Sequence, residues 1–430
     1  PPPPRAAPPF FFLMIRRPPI STLSPSSAAS DVYKRLVMAF LPFIALYLTD
    51  MVNQAFSGIF LFILVLINFP ISMISGHIIE RYPKKRTMLI YQIIECISLL
   101  AMAFSVSNQT LLIMIFCIAY TVFSISSGMI APLIETMIMD AITPEVEHYI
   151  YKVSYWLTNV AVACGAFLGG AMYHANKSAL FLIAFVIFVL VFVALYIWIP
   201  NDNAKPLKKE GQTFDNVLSL KGFLRNYQLV LKDKLFMYLI IGSSILLMCE
   251  LSTSSYVSIR LKKEFETLSM FHVSIDGVKM YSILIMTNTL VVIALTYFVS
   301  KYILKMNNQK ALFVGLIMYV VGYSGITYLN DFTLLIIVMV IATLGEMIYS
   351  PITEEHRYKM IPAHKRGTYS AIRALSFNFA QLIARLGIIL GVLMNALGMT
   401  IYMALILTLG SILLYRAVYQ FNLKANNENH

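Results

Sequence analysis

GHIIERYPKKRTM, residues 76–88, is the stretch that decides the fold, because it joins two long apolar segments at residues 55–75 and 89–106. As helices, these segments have about the length needed to cross a bilayer, which takes roughly 20 residues. The joining stretch carries four basic residues and the single acid Glu80. Loops on the cytoplasmic side of a membrane have an excess of Lys and Arg, so this loop is predicted to lie in the cytoplasm. That assignment sets the orientation of every other helix.

The composition excludes a water-soluble protein. Of the 430 residues, 59% are hydrophobic and only 13% are charged, and the mean hydropathy is +0.74. Too little polar surface remains to cover a soluble domain, which predicts an all-α, polytopic membrane protein. The net charge of +12 comes from basic residues in short loops between apolar segments, which indicates membrane topology and not nucleic-acid binding. The four cysteines form no C-x-x-C pair and the seven histidines fall in predicted loops, interfaces or the tail, so no metal site is predicted.

Residues 1–35 differ from the rest of the chain, being rich in proline and then in serine. The segments FFFLMIRRPP and SSAASDVYKR resemble translated sequencing-adaptor read-through. Residues 1–35 are therefore predicted to be a non-native or disordered leader and are excluded from fold reasoning. On this interpretation the native sequence starts near Leu36 and the first transmembrane helix is truncated. The alternative is a basic targeting segment.

Apolar blocks separated by short breaks predict twelve transmembrane helices. They are placed near residues 36–50, 55–75, 88–107, 110–139, 151–173, 179–199, 235–258, 280–300, 309–328, 332–352, 369–392 and 398–418. Two six-helix bundles, 36–200 and 235–420, are joined by a linker at 201–234 in which the apolar spacing predicts an amphipathic helix on the membrane surface.

Basic residues are concentrated in alternate loops. The predicted outside loops hold only Lys177, Arg260, Lys262, Lys263 and Lys279. Both termini, including the tail at 421–430, are therefore predicted to lie in the cytoplasm, and the chain is predicted to be a multi-pass protein of the cell membrane.

Residues 76–88 also resemble the signature loop between helices 2 and 3 of the major facilitator superfamily, G-x-L-(A/S)-D-R-x-G-R-(K/R)-x-x-L. The matching positions are Gly76, Ile78, Arg81, Lys84, Lys85 and Met88. Glu80 stands where the family has Asp, and Pro83 where it has Gly. The resemblance implies a secondary transporter in which two helical bundles rock about a central substrate site, with this loop as a cytoplasmic gate. The alternative is an ordinary basic inside loop.

Glu80 is expected to act as a latch. A carboxylate at the end of helix 2 is attracted to the positive end of helix 11, which is predicted to begin near Thr368. This contact would hold the two halves shut on the cytoplasmic side.

Helix 5 contains a run of small residues that resembles the antiporter signature g-x-x-x-G-P-x-x-G-G of drug-exporting facilitators. The residues of this run are Ala161, Gly165, Ala166, Gly169 and Gly170, with Ala166 in the place of the expected proline. The resemblance implies export. The alternative is that small residues simply let helix 5 pack closely on a neighbour.

Five acidic residues lie inside predicted transmembrane helices, where each costs about 2.5–3.5 kcal/mol at the bilayer centre. They are Glu95, Glu135, Asp140, Glu250 and Glu346. A carboxyl group in such a place can gain or lose a proton when water or a cationic ligand arrives, which could couple a proton gradient to a conformational change. ATP is not the expected driving force, because no G-x-x-x-x-G-K-(S/T) loop occurs.

The stretch TLGEMIYSP, residues 343–351, resembles helix 10 of LmrP-like multidrug exporters of Gram-positive bacteria, and MIMDAITPE and RGTYSAI extend the resemblance. It implies that Glu346 is a proton- and cation-sensing glutamate and that Asp140 is the acid that ends helix 4. Ser154 and Ser254 stand where these exporters have aspartates. Glu250 lies one helical turn before Ser254 on the same face and could substitute for the second.

Arg385, in the middle of predicted helix 11, needs an acidic or carbonyl partner. It would either neutralise one of the five acids or contact an anionic substrate, and the second case favours uptake of an organic anion.

The sequence therefore predicts a proton-coupled exporter of amphipathic or cationic drug-like compounds that works as a monomer. It needs no cofactor, and its partners are the small-molecule substrate, protons and the lipid bilayer. The nearest alternative is a proton-driven importer of a small nutrient such as a peptide or organic anion. A membrane-embedded enzyme or receptor is the third possibility, but no HExxH, GxSxG or paired metal-ligand motif supports an enzyme.

Overall fold

The computed structural model describes residues 43–106, 109–141, 160–173, 176–198, 230–270, 273–303, 307–361 and 366–428. These ranges are almost entirely helical. The predicted leader at 1–35 and residues 201–229 of the predicted linker lie outside them.

The helices are labelled α1 to α12 in chain order. Their bounds are α1 43–51, α2 Gln54–Arg81, α3 Lys84–Phe104, α4 Thr110–Ala141, α5 Val160–Met172, α6 Lys177–Trp198, α7 Lys234–Glu264, α8 Gly277–Ile303, α9 Asn308–Tyr328, α10 Phe332–Met360, α11 Arg366–Leu393 and α12 Ala396–Glu428. Within the described ranges, ten of these helices are long and apolar enough to cross a membrane. The protein is a multi-pass membrane protein.

The helices begin where polar residues can cap them. The side chains of Asp233, Asn307 and Asp331 accept hydrogen bonds from the first free backbone N–H groups of α7, α9 and α10. Such caps satisfy donors that the helix itself leaves unpaired. Between the caps the helices are apolar, so that their backbone groups are satisfied internally and their side chains suit lipid or other helices.

Several helices run well beyond the ends that hydropathy predicts, and α10 and α7 are two of them. The sequence places the end of helix 10 near residue 352, whereas α10 continues to Met360. Ion pairs Arg357–Glu354 and Lys359–Glu355 lie three and four residues apart along this extension and stabilise it. Helix 7, predicted to end near 258, continues to Glu264. Hydropathy therefore locates the apolar span but not the polar turns that extend it.

The segment between α7 and α8 holds a feature that the sequence analysis did not predict. Strands β1 (Leu268–Met270) and β2 (Val273–Ile275) pair antiparallel in a short hairpin.

Contacts divide the helices into two groups. α2, α3, α4 and α6 pack on one another, α1 packs on α4 and α6 through Tyr47, and α7 to α12 pack on one another. The groups meet where α2 packs on α11 and where α5 packs on α8. At the second place Gly170 lies against Ser282, and Gly169 lies against the ring of Phe43 in α1. Larger residues would not fit there, so the small residues of α5 permit close packing.

Close approach also fixes α9 against α10. A Cβ atom added to Gly322 would lie 2.6 Å from the Cα of Ala342, and one added to Gly345 would lie 2.6 Å from the backbone nitrogen of Tyr319. The absence of side chains therefore lets the two backbones touch. This contact holds the part of α10 that carries Glu346.

Candidate functional site

Two of the predicted acidic residues lie together. Glu250 on α7 and Glu346 on α10 are close enough for their charges to interact. The Glu346 side chain is half-buried and the Glu250 side chain is exposed, but protein atoms lie densely around both carboxyl groups. This combination is typical of a concave cleft. We call Glu250 and Glu346 the acid pair.

The accessible face of α7 supports this placement. Partly accessible residues recur along the same side of the helix, at Ser243, Leu247, Glu250 and Ser254. Ile241, which is 39% exposed, lies nine residues before Glu250. Nine residues are two and a half turns, so Ile241 points to the opposite side. If the exposed isoleucine faces lipid, the stripe that contains Glu250 faces the interior of the bundle.

Polar and aromatic groups surround the acid pair. Asn288 of α8 lies close enough to interact with Glu346, and its Nδ2 donates a hydrogen bond of 3.0 Å to Thr343 Oγ1. Behind the pair, the rings of Tyr319 and Tyr349 lie 5.1 Å apart in an edge-on arrangement. These groups form part of the wall around the two carboxyl groups.

A π-helical turn, Thr253–Val257, interrupts α7 immediately beyond the acid pair. It includes Ser254, whose hydroxyl donates to the carbonyl oxygen of Leu251 at 2.8 Å. Single π turns inside α-helices occur frequently at functional sites because they change the direction of the following side chains.

The acid pair can exchange a proton for a bound cation. Two neighbouring carboxyl groups away from bulk water do not both ionise readily, because like charges repel and burial disfavours each charge. Their protons therefore belong to the pair as a whole. A cation arriving between them would favour the doubly ionised form and release a proton.

Arg385 lies on α11 and is only 9% exposed. The groups that act on it electrostatically are the phenols of Tyr120 on α4 and Tyr281 on α8. Its Nη1 atom is buried and has no hydrogen-bond partner among the described residues. None of the acids that the structure describes forms an ion pair with it.

The remaining predicted site residues are distributed along the helices. Glu95 is fully buried on α3. Glu135 and Asp140 lie in the last turns of α4, and Gly76, Glu80 and Arg81 in the last turns of α2, but their side chains lie outside what the structure describes. Lys84 and Lys85 begin α3, and the Nζ atom of Lys85 lies 5.4 Å from the ring centre of Tyr196. Gly165, Gly169 and Gly170 belong to α5.

A polar cluster joins the two helix groups at the end of the bundle where α1 finishes and α2 begins, which we call the Asp50 end. Tyr173 donates to Asp50 Oδ2 at 2.7 Å, and Lys177 Nζ bonds the same oxygen at 2.9 Å. Lys262, from α7, pairs with Asp50 Oδ1. We call Asp50, Tyr173, Lys177 and Lys262 the Asp50 cluster. Because α7 belongs to the other helix group, this cluster ties the groups together.

Gln54 strengthens the connection next to the Asp50 cluster. Its Nε2 donates to the backbone oxygen of Ile388 on α11 at 3.0 Å. Its Oε1 accepts a hydrogen bond of 2.6 Å from Lys263 on α7. The Asp50 end is therefore closed in this conformation.

Asp50 is ionised, which suits its role in closing the Asp50 end. The carboxyl lies beyond the apolar spans, at the end of α1. Partial burial opposes its ionisation, but hydrogen bonds from Lys262, Lys177 and Tyr173 outweigh that effect, so its pKa lies below the ordinary value. The closing contact is therefore charged at neutral pH.

The sequence analysis missed the Asp50 cluster. Lys177 and Lys262 were visible as outside-loop basic residues, but their acidic partner is separated from Lys262 by 212 positions. The only available signal was an acid at the end of a predicted helix, which does not identify its partner.

Two packed groups of helices that can cross a membrane define a multi-pass membrane protein, and its family match makes it a transporter and not an enzyme. Residues 24–385 match the sequence model of the Major Facilitator Superfamily. The chain belongs to this superfamily. Transporters of this kind bind small-molecule substrates and ions such as protons.

Two bacterial relatives are similar to the chain. A Na(+), Li(+), K(+)/H(+) antiporter of Planococcus maritimus is 21% identical over 355 residues, which are 81% of this chain and 84% of that protein. The uncharacterized MFS-type transporter YttB of Bacillus subtilis (strain 168) is 22% identical over 259 residues, 59% of each chain. The first relative supports an antiporter among the possible kinds of transporter.

Two solved structures have the same fold. A crystal structure of the nucleoside transporter NupG superposes with a TM-score of 0.65 at 14% identity, covering 92% of this chain and 98% of that one. A peptide transporter POT in complex with sulfate gives a TM-score of 0.68 at 14% identity, covering 93% and 94%. At such identities the likeness concerns the fold alone.

Proposed function

We propose that the protein is a proton-coupled antiporter that exports amphipathic or cationic compounds. The observation that carries the proposal is the acid pair, in which Glu250 and Glu346 lie within electrostatic range of each other beside a cleft. Proton and cargo compete for the same two carboxylates. Each transport cycle exchanges one for the other.

The direction of exchange follows from the two ends of the bundle. The positive-inside rule assigns the loop at residues 76–88 to the cytoplasm, which makes the Asp50 end extracellular. In the closed arrangement at that end, the acid pair takes up cargo from the cytoplasmic side and releases its proton there. After the halves rock, the cargo leaves outside and the pair is protonated again.

Exchange of an inorganic monovalent cation for protons is the second candidate. The Planococcus maritimus relative is named for this activity. Glu250, Glu346, Asn288 and Thr343 offer oxygen atoms near one another, which are the ligands that hard cations prefer. The substrates in the names of the similar nucleoside and peptide transporters do not separate export from nutrient import.

The first experiment measures transport in inverted membrane vesicles with an imposed proton gradient. One arm follows a panel of cationic fluorescent dyes, and the other follows proton movement on addition of NaCl, LiCl or KCl. The parent is compared with Glu346→Gln and Glu250→Gln. Glu355→Gln is the matched control, because Glu355 lies on the same helix as Glu346 but pairs with Lys359 at the exposed end.

The proposal requires dye accumulation by the parent and by the control, and its loss in both acid-pair variants. Proton movement on addition of the inorganic cations, without dye accumulation, supports the second candidate. Equal transport by the parent and Glu346→Gln rules out the acid pair as the coupling site.

A further inference from the structure

Arg385 differs from the other strongly buried arginines that the structure describes. Arg260, 3% exposed, donates to backbone carbonyl oxygens at the end of α9 and pairs with Glu264 at 3.3 Å. Arg357, 7% exposed, pairs with Glu354. Arg385 has neither kind of partner among the described residues, and its Nη1 atom is enclosed without a hydrogen bond.

An enclosed guanidinium group cannot escape this cost by losing its proton, because arginine stays charged in proteins. A buried charge without a counter-charge is strongly destabilising. Phenols are weak partners because they are neutral. The guanidinium group of Arg385 therefore needs a hydrogen-bond acceptor from outside the described residues. An anion would compensate its charge best.

Arg385 lies where a transported compound can bring an anionic group to it. Its two neighbours come from different helix groups, since Tyr120 lies on α4 and Tyr281 on α8. It therefore lies between the moving halves and not within one of them. Two residues further along α11, Gly387 lies against Ser252 of α7.

The contact between α11 and α7 sets the depth of Arg385 relative to the acid pair. Both helices run toward the Asp50 end, because Lys262 and Ile388 lie there. Glu250 precedes Ser252 by two residues, just as Arg385 precedes Gly387 by two. Arg385 thus lies near the depth of Glu250 on α7, but no ion pair joins them within the described residues.

Helix α8 connects the two places. Tyr281 lies within electrostatic range of Arg385, and Asn288 lies within hydrogen-bonding reach of Glu346. These two residues of α8 are seven positions apart, which is about two turns and roughly 10 Å on one helix face. A ligand that reaches both has a positive group and an acceptor group separated by a distance of that order.

We propose that Arg385 is a carboxylate-binding subsite of the transport cleft and that the preferred cargo is an amphipathic zwitterion. The carboxylate bonds Arg385, and the positive group lies at the acid pair. This inference rests on the proposed transport function and narrows its substrate class. It assigns Arg385 to the cargo and not to proton coupling.

The test is a binding measurement with two dyes that differ at one group. Rhodamine B is a zwitterion at neutral pH, and its ethyl ester has the same ring system without the carboxylate. Binding to the purified full-length protein in detergent is followed by fluorescence anisotropy. A charge-assisted hydrogen bond contributes about 1.5–3 kcal/mol, so the parent is expected to bind the acid roughly 10- to 100-fold more tightly than the ester.

Arg385→Gln is expected to remove that preference, so that this variant binds the acid and the ester equally within about twofold. Arg385→Lys is the second variant, which keeps the charge but loses the planar two-donor fork, and it is expected to retain part of the preference. Arg416→Gln, at an exposed position of α12, is the control and is expected to bind both dyes as the parent does. Equal binding of acid and ester by the parent, or no binding of either, overturns the subsite.

The same dyes separate this inference from the transport proposal. If rhodamine B binds in an Arg385-dependent way but is not moved by a proton gradient in vesicles, the subsite proposal is supported and the antiporter proposal is contradicted. If a proton gradient moves both dyes and Arg385→Gln does not alter the preference between them, the antiporter proposal is supported and the subsite proposal is contradicted.

Discussion

Replacing Lys262 with methionine is predicted to open the Asp50 end of the helix bundle. Lys262 supplies the ion pair that reaches Asp50 from the other helix group. The side chains of Lys262 and Asp50 are 22% and 20% exposed, which places the pair between an exposed ion pair, worth about 0–1 kcal/mol, and a buried charged hydrogen bond, worth about 1.5–3. A loss of about 1–2 kcal/mol from the closed state shifts the ratio of open to closed molecules by a factor of roughly 5–30.

Lys177→Met is the matched control. Lys177 bonds the same carboxylate, at 2.9 Å, but lies on α6 in the same helix group as Asp50. Its contact is therefore present in open and closed states alike and does not bias the equilibrium. Lys262→Met should open the bundle, whereas Lys177→Met should leave it closed.

The assay is a distance measurement between two spin labels across the Asp50 end. Labels at Thr110 and Thr267, which are exposed and belong to different helix groups, are introduced in a cysteine-free background. Lys262→Met is expected to add a population at longer distance that the parent and Lys177→Met lack. Identical distance distributions in Lys262→Met and the parent, or equal opening by both lysine variants, would refute the argument from the Asp50 cluster.

Three further predictions concern single residues. Arg385→Met should raise the melting temperature of the ligand-free protein, because a buried charge left without a counter-charge costs about 3–5 kcal/mol; a lower melting temperature in thermal unfolding contradicts this. Glu80→Gln should reach the membrane in normal amount but transport poorly, because the predicted latch to helix 11 loses its charge; normal vesicle transport by a well-expressed variant counts against the latch. Since the pKa of Asp50 is lowered from 3.8, its contribution is full above that value and is lost only as pH falls through the lowered pKa. The spin-label distances should therefore not change between about pH 5 and pH 8, and opening within that range would show that another group titrates.

The positions of the helices could be predicted because a membrane span needs an uninterrupted apolar run. The sequence places helix 9 at 309–328, and α9 is Asn308–Tyr328. Ends were predicted less well where local charge pairs continue a helix outside the apolar region, as in α10. The hairpin between α7 and α8 was not predicted, since its strands are only three residues long and leave little periodicity to detect.

The candidate site could be predicted in its members but not in its geometry. Glu250 and Glu346 were identifiable one at a time, because a carboxyl group in an apolar helix is costly. Their proximity depends on how α7 and α10 pack, and a separation of 96 positions in the sequence does not predict it. For Arg385 the sequence predicts a polar partner, and the structure brings the phenols of Tyr120 and Tyr281 within electrostatic range of it. Tertiary packing, and not local pattern, decides each of these relations.

The central claim is that cargo and proton compete for the acid pair, and proton release on binding tests it most directly. Purified protein in weakly buffered solution with a pH indicator is mixed with a cationic dye that the parent transports, or with NaCl if only inorganic cations are moved. The account predicts release of up to about one proton per bound cation near neutral pH, and no release from the Glu346→Gln, Glu250→Gln double variant. Binding by the parent without proton release, or equal release by the double variant, would contradict it.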